Sequence, residues 1–216
     1  MRINKFVALA TGMSRRSADA IIAAGHVRVG DNIARAGDDV DENTAVFLDN
    51  NQLAATSLIT IALNKPASYI CSREGQGGKT IYDLLPEGYH HLKSVGRLDK
   101  DSSGLLLLTN DGKLAQELTH PSFQKIKRYE VVLDRNLASS DRQAVEAGIM
   151  LDDGVSNMKI HGSGTDWLVA MSEGRNRQIR RTFGALGYEV TKLHRTQFGD
   201  YKLDALKLGA YRILSE

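Results

Sequence analysis

The chain predicts an α+β fold in two parts: a small N-terminal module over residues 1–48, then a larger domain with a largely antiparallel mixed sheet flanked by short helices. Three observations predict it. Strand-like stretches alternate with short helical ones, without the regular strand–helix–strand spacing of a parallel sheet. Asp49 to Ser57 is polar, with Asn50, Asn51 and Gln52, and reads as a linker over 49–57 that leaves 58–216 as the second domain. The run Leu105-Leu106-Leu107-Leu108, between Gly104 and Asn110-Asp111-Gly112, has the length and punctuation of a buried strand.

Within residues 1–48, Ile3, Phe6, Val7 and Ala10 recur at helical spacing, so 3–10 form a short helix that Gly12 ends. Ser14 is the N-cap of a second helix, Arg15 to Ala24, with Ala18, Ile21 and Ile22 inward and Gly25 as its stop. His26 to Val29 alternates as a strand, Gly30-Asp31 turns the chain, and Val40 with Ala45 to Leu48 completes a small sheet.

Beyond the linker, Leu58 to Asn64 is a strand that ends at Lys65-Pro66, since proline removes a ladder donor. Ser72 to Thr80, with Gly75, Gly77 and Gly78, is a surface loop; it lacks the Gly-Lys-Ser/Thr order and the long following helix of a phosphate-binding loop. Ile81 to Leu85 is a helical turn closed by Pro86. Asn110-Asp111-Gly112 can close a hairpin or start a helix, and Leu114 and Leu118, four apart, favour a helix over Lys113 to Leu118. Lys127 to Leu133 is a strand, Ser140 to Ala147 a helix ended by Gly148, and Asp152-Asp153-Gly154 a turn. Met158 to His161 and Trp167 to Met171 are strands. Asn176 to Leu186 is a helix opened by an Asn cap and closed by Gly187, with Ile179 and Phe183 on one face and Arg177 and Arg181 on another. Val190 to Leu193 and Tyr211 to Leu214 are the last strands.

The 216 residues are 42% apolar and 25% charged, ordinary for a globular protein. Cys71 is the one cysteine, so no internal disulfide is possible and a reducing compartment fits. No apolar run approaches the roughly 18 residues of a membrane span, and the basic N-terminus lacks a signal-peptide core. The expected location is the cytoplasm, with no membrane partner. The net charge is only +2, but its distribution is uneven. Residues 1–30 carry Arg2, Lys5, Arg15, Arg16 and Arg28 against Asp19 alone; residues 173–195 carry Arg175, Arg177, Arg180, Arg181, Lys192 and Arg195 against Glu173 and Glu189. Two basic patches point to a polyanion, most simply nucleic acid. Arg15 and Arg16 fall in a first helical turn, where unpaired amides already favour an anion.

Chemistry is expected where Asp99 and Asp101 stand at the mouth of the leucine strand, because a carboxylate there is costly without a partner. A surface turn using Asp and Ser for local hydrogen bonds would account for the same residues. Tyr129 lies on a basic strand and Arg180 on a basic helix beside Ile179. A nearby arginine would keep a desolvated carboxylate ionised, and such a carboxylate can act as a nucleophile. A tyrosine offers a flat face for a base and a hydroxyl for proton transfer. Spacing alone leaves open whether the three meet.

Gly96-Arg97-Leu98-Asp99, followed by Ser103 to Gly112, resembles the signature of RNA pseudouridine synthases, in the RsuA-like branch that modifies ribosomal RNA. Asn64-Lys65-Pro66, Lys127 to Val131, Glu173 to Arg181, Leu193-His194-Arg195, Phe198-Gly199, Leu208-Gly209 and Arg212 agree with it. Residues 1–48 resemble the S4 RNA-binding module, through Ser14-Arg15-Arg16 and Ala24 to Gly30. Ser102 stands where threonine is frequent and Ser68 where glycine is common. The resemblance implies that Asp99 is the nucleophile, by attack or by a glycal route, in isomerising a flipped-out uridine. It implies that Tyr129 stacks on the base, that Arg180 holds Asp99 through an ion pair, and that Arg97, Leu98 and Ile179 shape the substrate pocket. Arg2, Lys5, Arg15, Arg16, Arg28, Lys65, Lys100, Lys127, Arg128, Arg175, Arg177 and Arg181 would contact RNA. The implied partner is ribosomal RNA or a pre-ribosomal particle, met by a monomer that needs neither metal nor organic cofactor.

Rival readings fare worse. An RNA-binding adaptor would have no need of Asp99, Tyr129 and Arg180 together. A metal nuclease on Asp99, Asp101, Asp152 and Asp153 lacks ligand spacing, one cysteine and scattered histidines give no zinc set, and a Ser103–His120 hydrolase lacks the Gly-x-Ser-x-Gly elbow.

Overall fold

In the computed structural model, Ile3, Phe6 and Val7 turn the apolar face of α1 (Ile3–Thr11) onto Ala18 and Ile22 of α2 (Arg15–Ala23). Gly12, at φ 75°, ends α1, and Ser14 caps α2 by accepting from the Ser17 amide at 3.0 Å. Residues 1–41, 43–54, 56–75 and 77–215 are described; Glu42 of the acidic stretch, Ala55 of the expected linker, Gln76 of the glycine-rich loop and Glu216 lie outside them. The chain divides into two units, Met1–Ile59 and Thr60–Ser215.

The first unit adds a small antiparallel sheet of β1 (Val27–Val29), β2 (Asn32–Ile33), β3 (Val46–Leu48) and β4 (Asn51–Leu53), in the order β2-β1-β3-β4. Strand β4 corrects the reading of 49–57 as linker throughout. Asp49 and Asn50 have φ of 45° and 69°, the positive values at both central positions that a tight type I′ hairpin turn requires. Exposed Asn51 and Gln52 carry no apolar signal, so the strand was disguised by composition.

The second unit is built on one twisted sheet. Its strands are β5 (Thr60–Lys65), β6 (Lys93–Val95), β7 (Ser103–Thr109), β8 (Lys127–Leu133), β11 (Lys159–Ser163), β12 (Asp166–Met171), β13 (Val190–Phe198), β14 (Tyr201–Lys202) and β15 (Tyr211–Ser215). They run in the order β11-β12-β8-β13-β7-β5-β15, with β6 on β7 and β14 on β13. The β7–β13 pairing is parallel and the other pairings are antiparallel. A separate hairpin joins β9 (Ile149–Leu151) to β10 (Gly154–Ser156). Its turn at Asp152-Asp153 is as read, but its two strands, three residues each, are too short to show an alternation. Helices α3 (Gly112–Thr119), α4 (Ser139–Ala147) and α5 (Gln178–Ala185) complete an antiparallel-rich mixed α/β fold. Among the described residues no helix is long and apolar enough to cross a membrane.

Leu105 to Leu108 are fully buried at the centre of this sheet, consistent with a strand covered on both faces. Asp111 caps α3 by accepting from the Lys113 amide at 2.8 Å, so the Asn-Asp-Gly stretch is a helix start. Helix α5 begins later than its sequence suggests: Arg177, at φ 46°, is its N-terminal boundary and Asn176 makes no cap. Strand β13 continues well past Leu193 to Phe198, because His194, Arg195 and Gln197 are polar residues held inside the sheet.

Candidate active site

The loop between β6 and β7 carries Asp99, and five residues hold its backbone. Lys65, at the end of β5, is wholly buried, and its ammonium donates to the carbonyls of Ser102 at 2.7 Å, Asp99 at 3.0 Å and Pro66 at 3.0 Å. Burial pushes its pKa down, a cost offset by those three acceptors. The Ser68 amide donates to Lys100 O at 2.6 Å, and Cys71 Sγ donates to Leu98 O at 3.3 Å. From α5, Arg180 Nη2 donates to Asp101 O at 3.1 Å. The Ser102 amide closes a turn onto Asp99 O at 3.1 Å. Lys65, expected to contact RNA, is therefore an internal clamp. Its burial leaves it no RNA-facing surface.

The two acidic residues of the loop meet the two arginines of the α5 start in an unexpected way. Arg177 grips the Asp101 carboxylate with both Nη atoms at 3.0 Å and lies 3.7 Å from Asp99 Oδ2. Arg180 approaches Asp101 Oδ2 at 3.3 Å and donates to Val190 O at 2.6 Å. The expected Arg180–Asp99 pair is thus replaced by Arg177–Asp99. The left-handed backbone at Arg177 precedes the helix and points its side chain to the loop, which helical spacing does not anticipate. Arg177's hydrogen bonds, with Arg180's charge nearby, hold the Asp101 carboxyl below the ordinary range.

Asp99 opens onto a cavity of about 740 Å³, within the roughly 300–1,000 Å³ common for small-ligand sites. Its side chain is 33% exposed. Arg97, Leu98, Tyr129 and Ile179 also line the cavity, so the expected pocket residues do come together around Asp99. Period-two alternation along β8 puts Lys127 and buried Tyr129 on the cavity face and sends exposed Arg128 to the other. Lys127 donates to Glu173 O at 3.0 Å, and burial lowers its pKa. Arg195, which sequence reasoning placed in a basic patch and a motif but not in the pocket, also lines the cavity and is 2% exposed.

The remaining basic residues divide by what already holds them. Arg175 donates to Asp153 Oδ1 at 2.6 Å, Val155 O at 2.8 Å and Glu173 Oε2 at 3.1 Å, tying the β9–β10 hairpin to the loop before α5. Arg181 bonds Asp152 and reaches Asp153 Oδ2 at 2.6 Å. These two arginines, expected on the RNA surface, are occupied by the acidic turn. Lys100 is exposed. In the first unit Arg2 pairs with Asp39 at 2.9 Å, Arg15 reaches Asn4 Oδ1 at 3.2 Å, and Arg28 lies over the Phe47 ring at 5.2 Å. Lys5, Arg15 and Arg16 are exposed.

A carboxylate, a tyrosine and an arginine thus share one cavity of an antiparallel-rich sheet. Residues 59–185 match the RNA pseudouridylate synthase family, and the chain belongs to it: it is an enzyme of the class that isomerises uridine in RNA to pseudouridine. It is 34% identical to the Ribosomal large subunit pseudouridine synthase B of Vibrio cholerae serotype O1, over 94% of this chain and 68% of that one. It is 32% identical to the Ribosomal small subunit pseudouridine synthase A of Vibrio vulnificus, over 100% of this chain and 97% of that one. A crystal structure of pseudouridylate synthase superposes with a TM-score of 0.70 at 31% identity, covering 100% of this chain and 96% of the other.

Proposed function

We propose that the chain isomerises one specific uridine of ribosomal RNA, free or in a pre-ribosomal particle, with Asp99 as the nucleophile. The observation that carries this reading is Asp99 itself: its backbone is clamped from beneath by Lys65, and its carboxylate faces the Tyr129 cavity beside Arg177. Flipping the nucleotide out of its stack costs a few kcal/mol, supplied by RNA contacts, among which Arg97 and Lys100 are exposed candidates. Asp99 assists rupture of the N1–C1′ bond, by attack or through a glycal. The uracil turns and C5 bonds to C1′ as the Asp99–C1′ bond breaks or, on the glycal route, as C2′ regains its proton; C5 then loses a proton and N1 gains one. Tyr129 supports the base and takes part in that transfer. Arg177 lies 3.7 Å from the Asp99 carboxylate, while Arg180 positions the loop through Asp101 and Ser102.

The first unit serves as an S4-type RNA-binding module in this reading, supported by two packed helices, a small sheet and exposed Arg15 and Arg16 at a capped helix start. Replacing both arginines with alanine lowers the salt dependence of RNA binding by about one to two units of slope, read from affinities across a salt series; an unchanged slope contradicts the assignment. The relatives are named for both ribosomal subunits, so substrate is decided by mapping pseudouridines in total RNA with and without the protein. One ribosomal site that vanishes with the protein is the expected result. An unchanged map overturns the reading.

A further inference from the structure

Arg195 is a buried cation with bonding capacity to spare. Its Nε donates to Leu105 O at 2.8 Å and its guanidinium lies 4.9 Å from the centre of the Phe198 ring. Its Nη2 is buried with no hydrogen-bond partner, and among the described residues no carboxylate pairs with it. Lys127 Nζ, 5.3 Å from the same ring, adds a second positive charge rather than a counter-ion. A buried guanidinium in that state is costly, and a fold tolerates such a cost most readily where it serves a reaction.

Its position is set with care. Arg195 is the cross-strand partner of Tyr129, so the two side chains share one face of the sheet. A bulge between Arg195 and Gln197 then brings Phe198 to the same face. On the other side, a Cβ at Gly104 would come within 2.3 Å of the Arg195 carbonyl oxygen, so only glycine lets β7 approach this closely. Arg195 lines the same cavity as Asp99 but is buried, 2% exposed, where Asp99 is partly open. A flipped nucleotide enters base first, and its phosphates stay with the strand at the mouth. The deeper cation therefore meets the base.

We propose that Arg195 is a catalytic residue that stabilises the uracil anion formed when the glycosidic bond breaks. The inference rests on Asp99 acting as proposed above. When N1–C1′ breaks, its electron pair leaves with N1 and the negative charge spreads to O2 and O4, while C1′ bonds to Asp99 or becomes the glycal carbon. The C5–C1′ bond then takes its pair from the uracil π system, C5 loses a proton and N1 gains one, and the ring is neutral again. Negative charge on the base thus exists only between the two bonds, and a fixed guanidinium favours that interval over the bound substrate.

The test compares single-turnover loss of the starting nucleoside in two RNAs that differ only at the target, uridine or 5-fluorouridine. Fluorine acidifies the uracil, so its anion needs less help. Arg195→Met should slow the uridine reaction about 10²–10³-fold with RNA affinity unchanged, lose a clearly smaller factor on 5-fluorouridine, and be partly rescued by Arg195→Lys. If Arg195→Met does not fold, Arg195→Gln, neutral but nearly as long, replaces it. Equal losses on the two RNAs, or a neutral variant at the wild-type rate, overturn the proposal. Wild-type protein that converts neither RNA, or a folded Asp99→Ala protein that converts uridine, would instead overturn the reading on which it rests.

Discussion

Asp101 and Asp99 differ by two positions and by almost everything else. Asp101 takes the bidentate grip of Arg177 and the approach of Arg180, so it is a structural anchor, while Asp99 keeps a single arginine at 3.7 Å and an open face. Sequence reasoning distinguished the two only through the family resemblance, since both are aspartates in one polar loop. It also misplaced Lys65, because a lysine before a proline looks exposed, and nothing in its neighbours reveals that three carbonyls wait inside. A pH prediction belongs to Asp101. Its folded pKa lies below its unfolded value of about 3.9. Its contribution is therefore present above the unfolded pKa and is lost as pH falls through the folded one. In melting curves, wild type should exceed Asp101→Asn by a steady margin above about pH 5, and the margin should shrink as pH drops below the unfolded carboxylate range. A margin that does not change with pH contradicts the ion-pair account.

The element that matters most is the loop of residues 96–102, and its rigidity comes from other elements. Ser68 shows how. Its φ of 73° is left-handed backbone, which glycine adopts more readily than serine, and its amide holds Lys100 O. Alternation along β8 was legible because buried and exposed residues differ in polarity there. The length of β13 was not, because its later residues are the polar His194, buried Arg195 and Gln197; His194 bonds Ser103 Oγ at 2.8 Å across the parallel pair. At this scale the test is Lys65→Met. It leaves buried carbonyls of the loop without a donor, at a cost of about 1–3 kcal/mol for such a group. Denaturant unfolding should show a loss of at least that size, and turnover should fall with it. Wild-type stability would mean the ammonium does not hold the loop.

Across the whole molecule, the order of parts follows from the sheet. Strands β5, β7, β13 and β8 lie side by side, so the Lys65 clamp, the Asp99 loop, Arg195 and Tyr129 converge although they are far apart in sequence. Strand types and the leucine core could be read from pattern, but not this adjacency, because β7 and β13 pair in parallel across a long stretch of chain. That non-local pairing is why Tyr129 and Asp99 could be nominated but not brought together in advance. Turnover depends on the Asp99 carboxylate. In a single-turnover assay on the mapped RNA site, with affinity and melting followed in parallel, Asp99→Ala should fold, bind RNA as wild type does and form no detectable pseudouridine. Measurable pseudouridine from a cleanly folded Asp99→Ala protein would contradict it.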